Sequence, residues 1–136
     1  VSDPLAEAEV AVRARGLSRS APGVRLTRMR LGVTEHIDCA HFLPGHPKCG
    51  QLHGHTYKIE VVVEGQPEGG MLVDFAELRA QIRVALKPLD HRNLNDVLEY
   101  PSVENICQLL SARLKEQLRF PFVVRVYEGQ GKWAEV

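Results

Sequence analysis

Apolar residues alternate with polar ones in two stretches early in the chain and in one near its end, and they recur at helical spacing in two stretches between. Leu26, Met29, Leu31, Val33 and Ile37 fall at mostly even intervals and predict a first strand over about residues 25–40. Alternation over residues 57–64 predicts a second, and the turn over residues 65–70 has enough glycine for positive φ angles. Asp74 then offers an N-cap, with Glu77 three residues on. Phe75, Leu78, Ile82, Ala85 and Leu86 share one face of the helix that follows, Arg79, Arg83 and Lys87 occupy the other, and Pro88 ends it.

Ser102 caps a second helix, in which Val103, Ile106, Leu109, Leu110 and Leu114 face inward and Leu118 extends the stripe. Pro121 breaks it, and residues 122–128, rich in β-branched and aromatic side chains, predict a third strand. Gly129, Gln130 and Gly131 turn into a short last strand over residues 132–136. The order β-β-α-α-β-β predicts an α+β fold, an antiparallel four-stranded sheet with both helices on one face. Residues 1–28 read as an extension: Leu5, Ala8 and Val12 are spaced for a short helix, and residues 18–23 for a linker. That leaves residues 29–136 as the domain.

Composition narrows the class without naming a chemistry. A chain of 136 residues, 44% hydrophobic and 25% charged, is one ordinary globular domain with a core of modest size. With 17 basic against 17 acidic residues there is no global pull toward nucleic acid or a membrane surface. The 3 cysteines, at irregular spacing, argue against a disulfide framework and for a reducing compartment, with the cytoplasm as the expectation. No run approaches the roughly 18 apolar residues of a membrane span. The first residues lack the uninterrupted apolar region of a signal peptide, and Asp3, Glu7 and Glu9 do not suit an organellar transit peptide.

The candidate chemistry lies where the second strand begins. His53 and His55, one residue apart, project from the same side of an extended chain at about 7 Å. Two imidazoles so placed can share one ion at about 2.0–2.1 Å, with Gly54 expected to keep the space between them clear. His41, at the end of the first strand, is the nearest third ligand. Three histidines with no fourth protein ligand leave a position open, as in a catalytic zinc site. The loop over residues 43–52, with Pro44, Gly45, Pro47 and Gly50, brings His46 and Cys49 close, His46 reading as a surface or supporting residue. Cys39 and Cys107 read as packing. Taken alone, Asp90 and His91 are a capping group and a solvated imidazole, and Glu128 is a solvated edge-strand residue.

His41, Cys49-x-x-x-His53-Gly-His55, residues 70–75, Leu89-Asp90-His91-x-x-Leu94-Asn95, residues 101–105 and Val126-Tyr127-Glu128 together resemble the 6-pyruvoyl-tetrahydropterin synthase family. The resemblance runs from about residue 29 to residue 128. The three-residue gap between Cys49 and His53, with Gly45 and His46 before it, is more similar to the branch that makes 6-carboxy-5,6,7,8-tetrahydropterin for queuosine and related 7-deazapurines. The resemblance implies the tunnelling fold, whose members join through sheet edges into barrels, commonly trimers paired as hexamers, with active sites between subunits. It implies Zn²⁺ on His41, His53 and His55, Cys49 as the base toward substrate carbon, Asp90 and His91 as a proton shuttle, and Glu128 as the pterin anchor. Ser102 and Glu104 are the further substrate-binding residues it implies.

The substrate implied is 7,8-dihydroneopterin triphosphate, converted with loss of triphosphate and acetaldehyde in the carboxy branch, or without side-chain cleavage in the pyruvoyl branch. Gly129 and Ser102 stand where the family more often has threonine. Two other classes compete: a cupin metal site, which the two helices oppose, and a module that binds zinc or pterin without turnover, which Cys49, Asp90 and His91 together oppose.

Overall fold

The alternating stretches pair into one sheet. In the computed structural model, which describes residues 27–136, β1 (Met29–His41), β2 (His53–Gly65), β3 (Phe122–Glu128) and β4 (Lys132–Glu135) lie in that spatial order, every neighbouring pair antiparallel. The proposed helix over Leu5, Ala8 and Val12, the linker and the first residues of the predicted first strand lie outside the described residues. β1 and β2 are each 13 residues long and pair along their whole length, Met29 opposite Gly65 at one end and His41 opposite His53 at the other. Period-two alternation divides their side chains between two faces. Val33, Ile37 and Cys39 of β1 and Tyr57, Ile59, Val61 and Val63 of β2 are buried on one face, while Thr34, His36 and Asp38 are exposed on the other.

Two helices cover the buried face: α1 (Phe75–Leu86) and α2 (Val103–Gln117). Asp74 accepts the Ala76 N–H at 2.7 Å, and Ser102 Oγ accepts the Asn105 N–H at 3.2 Å, so both predicted caps satisfy free helix-start donors. Leu78, Ile82, Ala85 and Leu86 of α1 and Ile106, Leu110 and Leu114 of α2 meet the sheet's apolar side in one core. Phe75 does not join them. It is the first residue of α1 and is 54% exposed. Arg79 and Arg83, on the outer side of α1, reach back to Glu35 of β1 at 2.8 Å each and tie the helix to the sheet.

The strands at the histidine end begin earlier and end later than alternation alone indicates. β2 starts at His53 rather than residue 57, and β1 runs through His41 rather than stopping at residue 40, because the histidines belong to the ladder. A 3-10 turn, Leu94–Asp96, lies between the helices, capped by the Asn93 side chain, which accepts the Asn95 N–H at 3.0 Å. Asn95 then bonds both backbone groups of Phe42, at 2.8 and 2.9 Å, acting as a strand partner where β1 ends. Among the described residues no helix is long and apolar enough to cross a membrane.

Leu110 is fully buried in the centre of the core. Leu110→Ala is expected to lower unfolding free energy by about 2–5 kcal/mol, read from the midpoint of urea denaturation; a shift under about 0.5 kcal/mol would place that residue outside the core.

Candidate active site

Three imidazoles meet where β1 and β2 end. His41 and His53 are register partners, and His55 is two residues further along β2 on the same face, so pleat and pairing bring the rings together. Ring centroids are 4.6 Å apart for His41 and His53, 5.0 Å for His41 and His55, and 4.8 Å for His53 and His55. One nitrogen from each lies within 4.8 Å of the others. Gly54 does not hold the space between them: a Cβ there would point to the opposite side of β2 and meet only the Cys39 carbonyl, at an ordinary 3.5 Å.

Hydrogen bonds settle which nitrogens face inward. His41 Nδ1 lies 2.8 Å from the Pro101 carbonyl, and His53 Nδ1 lies 2.7 Å from the Gln51 carbonyl. A carbonyl only accepts, so each Nδ1 carries the proton and each Nε2 keeps a lone pair. Those two Nε2 atoms are 3.1 Å apart. Facing lone pairs repel unless one ring is an imidazolium or a cation lies between them, and two nitrogens on one tetrahedral ion stand about 3.3 Å apart. His55 Nε2, buried, has no hydrogen-bond partner. Burial holds the His55 imidazole below its usual pKa, against the pull of Glu128 and with the help of His41 and His53, which favours the neutral, ligating form. These residues therefore fit a divalent cation held on three nitrogens, with carbonyls orienting two of the rings.

Around the triad lies a cavity of about 670 Å³, lined among others by Cys49, His53, His55, Glu128, Lys48 and Lys132. Cys49 is half-buried, on a loop that doubles back on itself; at Gly50 a Cβ would come within 2.6 Å of the His46 carbonyl oxygen, so only glycine passes there unshifted. His46 faces its own loop, its Nδ1 accepting from the N–H groups of Lys48 and Cys49 at 3.1 and 2.9 Å. Glu128, the last residue of β3 and the register partner of Tyr57, places its carboxylate 3.7 Å from His55 Nε2, 4.0 Å from His41 Nε2 and 3.7 Å from Lys132 Nζ. It is not a solvated edge residue.

Asp90 and His91 are elsewhere in the same chain. They stand at the free edge of β1 beside a second cavity of about 540 Å³ that opens on the other side of the sheet, with Asp38 and Thr56. Asp90 Oδ1 is 3.0 Å from His91 Nδ1, so the pair is formed, but Cys49 does not line that cavity. His91 has φ +60°, a left-handed conformation that costs a residue with a Cβ about 1–2 kcal/mol. Ser102 spends its hydroxyl on the α2 cap, while its neighbour Pro101 touches the triad. Glu104 is exposed in the first turn of α2, where it suits the helix dipole, and lines neither cavity. Asn95 and Pro101 lie within the motifs quoted above, but residue type alone does not mark the Asn95 amide or the Pro101 carbonyl as partners of β1, and the Asp38–Thr56 pair lies outside those motifs.

A four-stranded antiparallel sheet with two helices on one face and a histidine cluster at one end matches the tunnelling fold of pterin synthases. The sheet and helices superimpose on a 6-pyruvoyl tetrahydropterin synthase from Caenorhabditis elegans with a TM-score of 0.74 at 22% identity, covering 83% of this chain and 97% of that one. The chain belongs to the 6-pyruvoyl tetrahydropterin synthase family, whose sequence profile matches residues 30–136. It is 39% identical over 109 residues to an Archaeoglobus fulgidus protein named "Putative 6-carboxy-5,6,7,8-tetrahydropterin synthase", covering 79% of this chain and 95% of that protein. It is also 44% identical over 68 residues to a dihydroneopterin monophosphate aldolase of Pyrococcus furiosus, covering 50% and 60%.

The three thiols differ in reach. Burial pushes the Cys39 thiol up to about 11 and also raises Cys107, and both are enclosed, whereas Cys49 borders the cavity. Iodoacetamide near pH 8 is expected to modify Cys49 at least ~10-fold faster than Cys39 or Cys107, by peptide mass mapping; equal rates would remove Cys49 from an accessible cavity.

Proposed function

We propose that this pterin synthase family member converts 7,8-dihydroneopterin triphosphate and one water to 6-carboxy-5,6,7,8-tetrahydropterin, acetaldehyde and triphosphate, feeding 7-deazapurine formation. The observation that carries this reading is that Cys49, two of the three clustered imidazoles and Glu128 line one cavity. The preference for the carboxy branch rests on the Cys49-x-x-x-His53 spacing and on the name of the Archaeoglobus relative.

His41, His53 and His55 would hold Zn²⁺. Once bound, that ion would polarise a substrate oxygen and acidify a bound hydroxyl toward a pKa of about 7. Glu128 accepts two N–H groups from the amidine-like edge of the pterin and so orients the ring. Cys49, beside that site, removes a proton from side-chain carbon. Asp90 bonds His91 Nδ1 and leaves Nε2 to carry a proton to or from the side-chain oxygens. Cys49 borders one cavity and His91, paired with Asp90, borders the other, with His55 on both; in this reading the complete site is assembled between copies, one supplying Cys49 with Glu128 and its neighbour supplying Asp90 with His91.

A second reading is favoured by the likeness to the Pyrococcus aldolase: carbon–carbon cleavage on a dihydroneopterin monophosphate, releasing a phosphorylated two-carbon aldehyde.

Metal-loaded protein, incubated separately with 7,8-dihydroneopterin triphosphate and with the monophosphate and followed by mass spectrometry, is expected to turn over the triphosphate and release acetaldehyde and triphosphate together. Triphosphate without acetaldehyde would assign the pyruvoyl reaction, and turnover of the monophosphate alone would assign the aldolase. No turnover of either would leave a binding module.

Cys49→Ala is expected to keep its metal and lose at least ~100-fold in kcat; wild-type turnover would exclude the thiol as base. His53→Ala or His55→Ala is expected to drop bound zinc well below about one per chain by plasma emission, and unchanged metal content would refute the ligand set.

A further inference from the structure

The edge of β1 pairs with a turn of the chain instead of with another strand. His91 N–H donates to the Asp38 carbonyl at 2.7 Å, and Ala40 N–H donates to the Arg92 carbonyl at 2.9 Å. Asp38 N–H donates to Asp90 Oδ1 at 2.9 Å, the same oxygen that lies 3.0 Å from His91 Nδ1. Both backbone groups of Asp38 are thus committed to the Asp90–His91 pair, and they hold His91 in its left-handed conformation. A non-glycine residue keeps such a φ only where its surroundings dictate it.

The Asp38 side chain adds a second constraint. Oxygens of Asp38 and Asp90 and a ring nitrogen of His91 lie within 4.8 Å of one another, so two carboxylates compete for one imidazole. Like charges at that range repel, and either oxygen could accept the ring N–H. Thr56, the register partner of Asp38 on β2, resolves the competition: its hydroxyl donates to Asp38 Oδ1 at 2.5 Å. Thr56 follows His55, and alternation along β2 sends His55 to the triad side of the sheet and Thr56 to the side of the Asp90–His91 pair.

We propose that Thr56 and Asp38 are positioning residues for His91. The Thr56 hydroxyl holds the Asp38 carboxylate away from the imidazole, leaving Asp90 as the one carboxylate bonded to Nδ1 and Nε2 as the atom that transfers the proton. This rests on the reading of Asp90 and His91 as the proton-transfer pair. The two strands that carry the triad thereby also set the proton donor, each with a residue on the opposite face.

Thr56→Val removes the donor and keeps the β-branched shape a strand favours, while Thr56→Ser restores the hydroxyl. In the metal-loaded protein, Thr56→Val is expected to lower kcat about 10-fold with KM and zinc content within about twofold of wild type, and Thr56→Ser to recover at least about half of wild-type kcat. Histidine-selective ¹⁵N NMR is expected to show His91 protonated at Nδ1 in wild type and Thr56→Ser, with that tautomer partly lost in Thr56→Val. Wild-type kcat and an unchanged His91 tautomer in Thr56→Val would overturn the proposal, as would a loss that Thr56→Ser fails to recover. His91→Ala is the parallel control: full turnover there would sink the proton-transfer reading alone, and the tautomer measurement would still decide the role of Thr56.

Discussion

Two imidazole lone pairs face each other across 3.1 Å at the end of the β1–β2 ladder, and the fold is built so that they cannot turn away. The His41 ring is fixed from behind by the Pro101 carbonyl just before α2, and the His53 ring by the Gln51 carbonyl just before β2. Neutral rings so constrained repel in the absence of a cation. The 13-residue antiparallel pairing holds them there, and the core of α1, α2 and the sheet's apolar face holds the pairing. The stability of the whole domain thus works against the mutual repulsion of its site, an arrangement common where strain and ligand binding coincide.

The sheet also separates chemistry by face. On the helix side lie the triad, Glu128 and the cavity of Cys49; on the open side, at the β1 edge, lie Asp90 and His91. One strand serves both, since successive residues of β2, His55 and Thr56, point to opposite faces. In the proposed reading, copies joined edge to edge through β1 and β4, the outer strands of the sheet, would bring Asp90 and His91 at the β1 edge of one copy toward Cys49 and Glu128 of its neighbour.

Most of the fold was legible because its signals are local. Alternation marked the strands, the stripes of Leu78, Ile82 and Leu110 marked the helices, and Asp74 and Ser102 marked their starts. The triad was legible as well, since His-x-His on a strand forces two rings onto one face, and the third histidine lay at a strand end. What escaped depends on distant partners. The His41 contact to Pro101 spans 60 residues and the Asp38 contact to Asp90 spans 52, and no periodicity encodes either. Phe75 fitted the helical stripe yet, at the first position of α1, sits outside the core, 54% exposed. Gly54 invited a steric role between the rings, but the pleat turns it to the other face.

The most direct measurement is X-ray absorption at the zinc edge on the metal-loaded protein. Three imidazole nitrogens at about 2.0–2.1 Å, completed by oxygen and without sulfur, is the expected coordination. A sulfur at about 2.3 Å, which would enlist Cys49 as a ligand rather than a base, or fewer than three imidazoles, would contradict it.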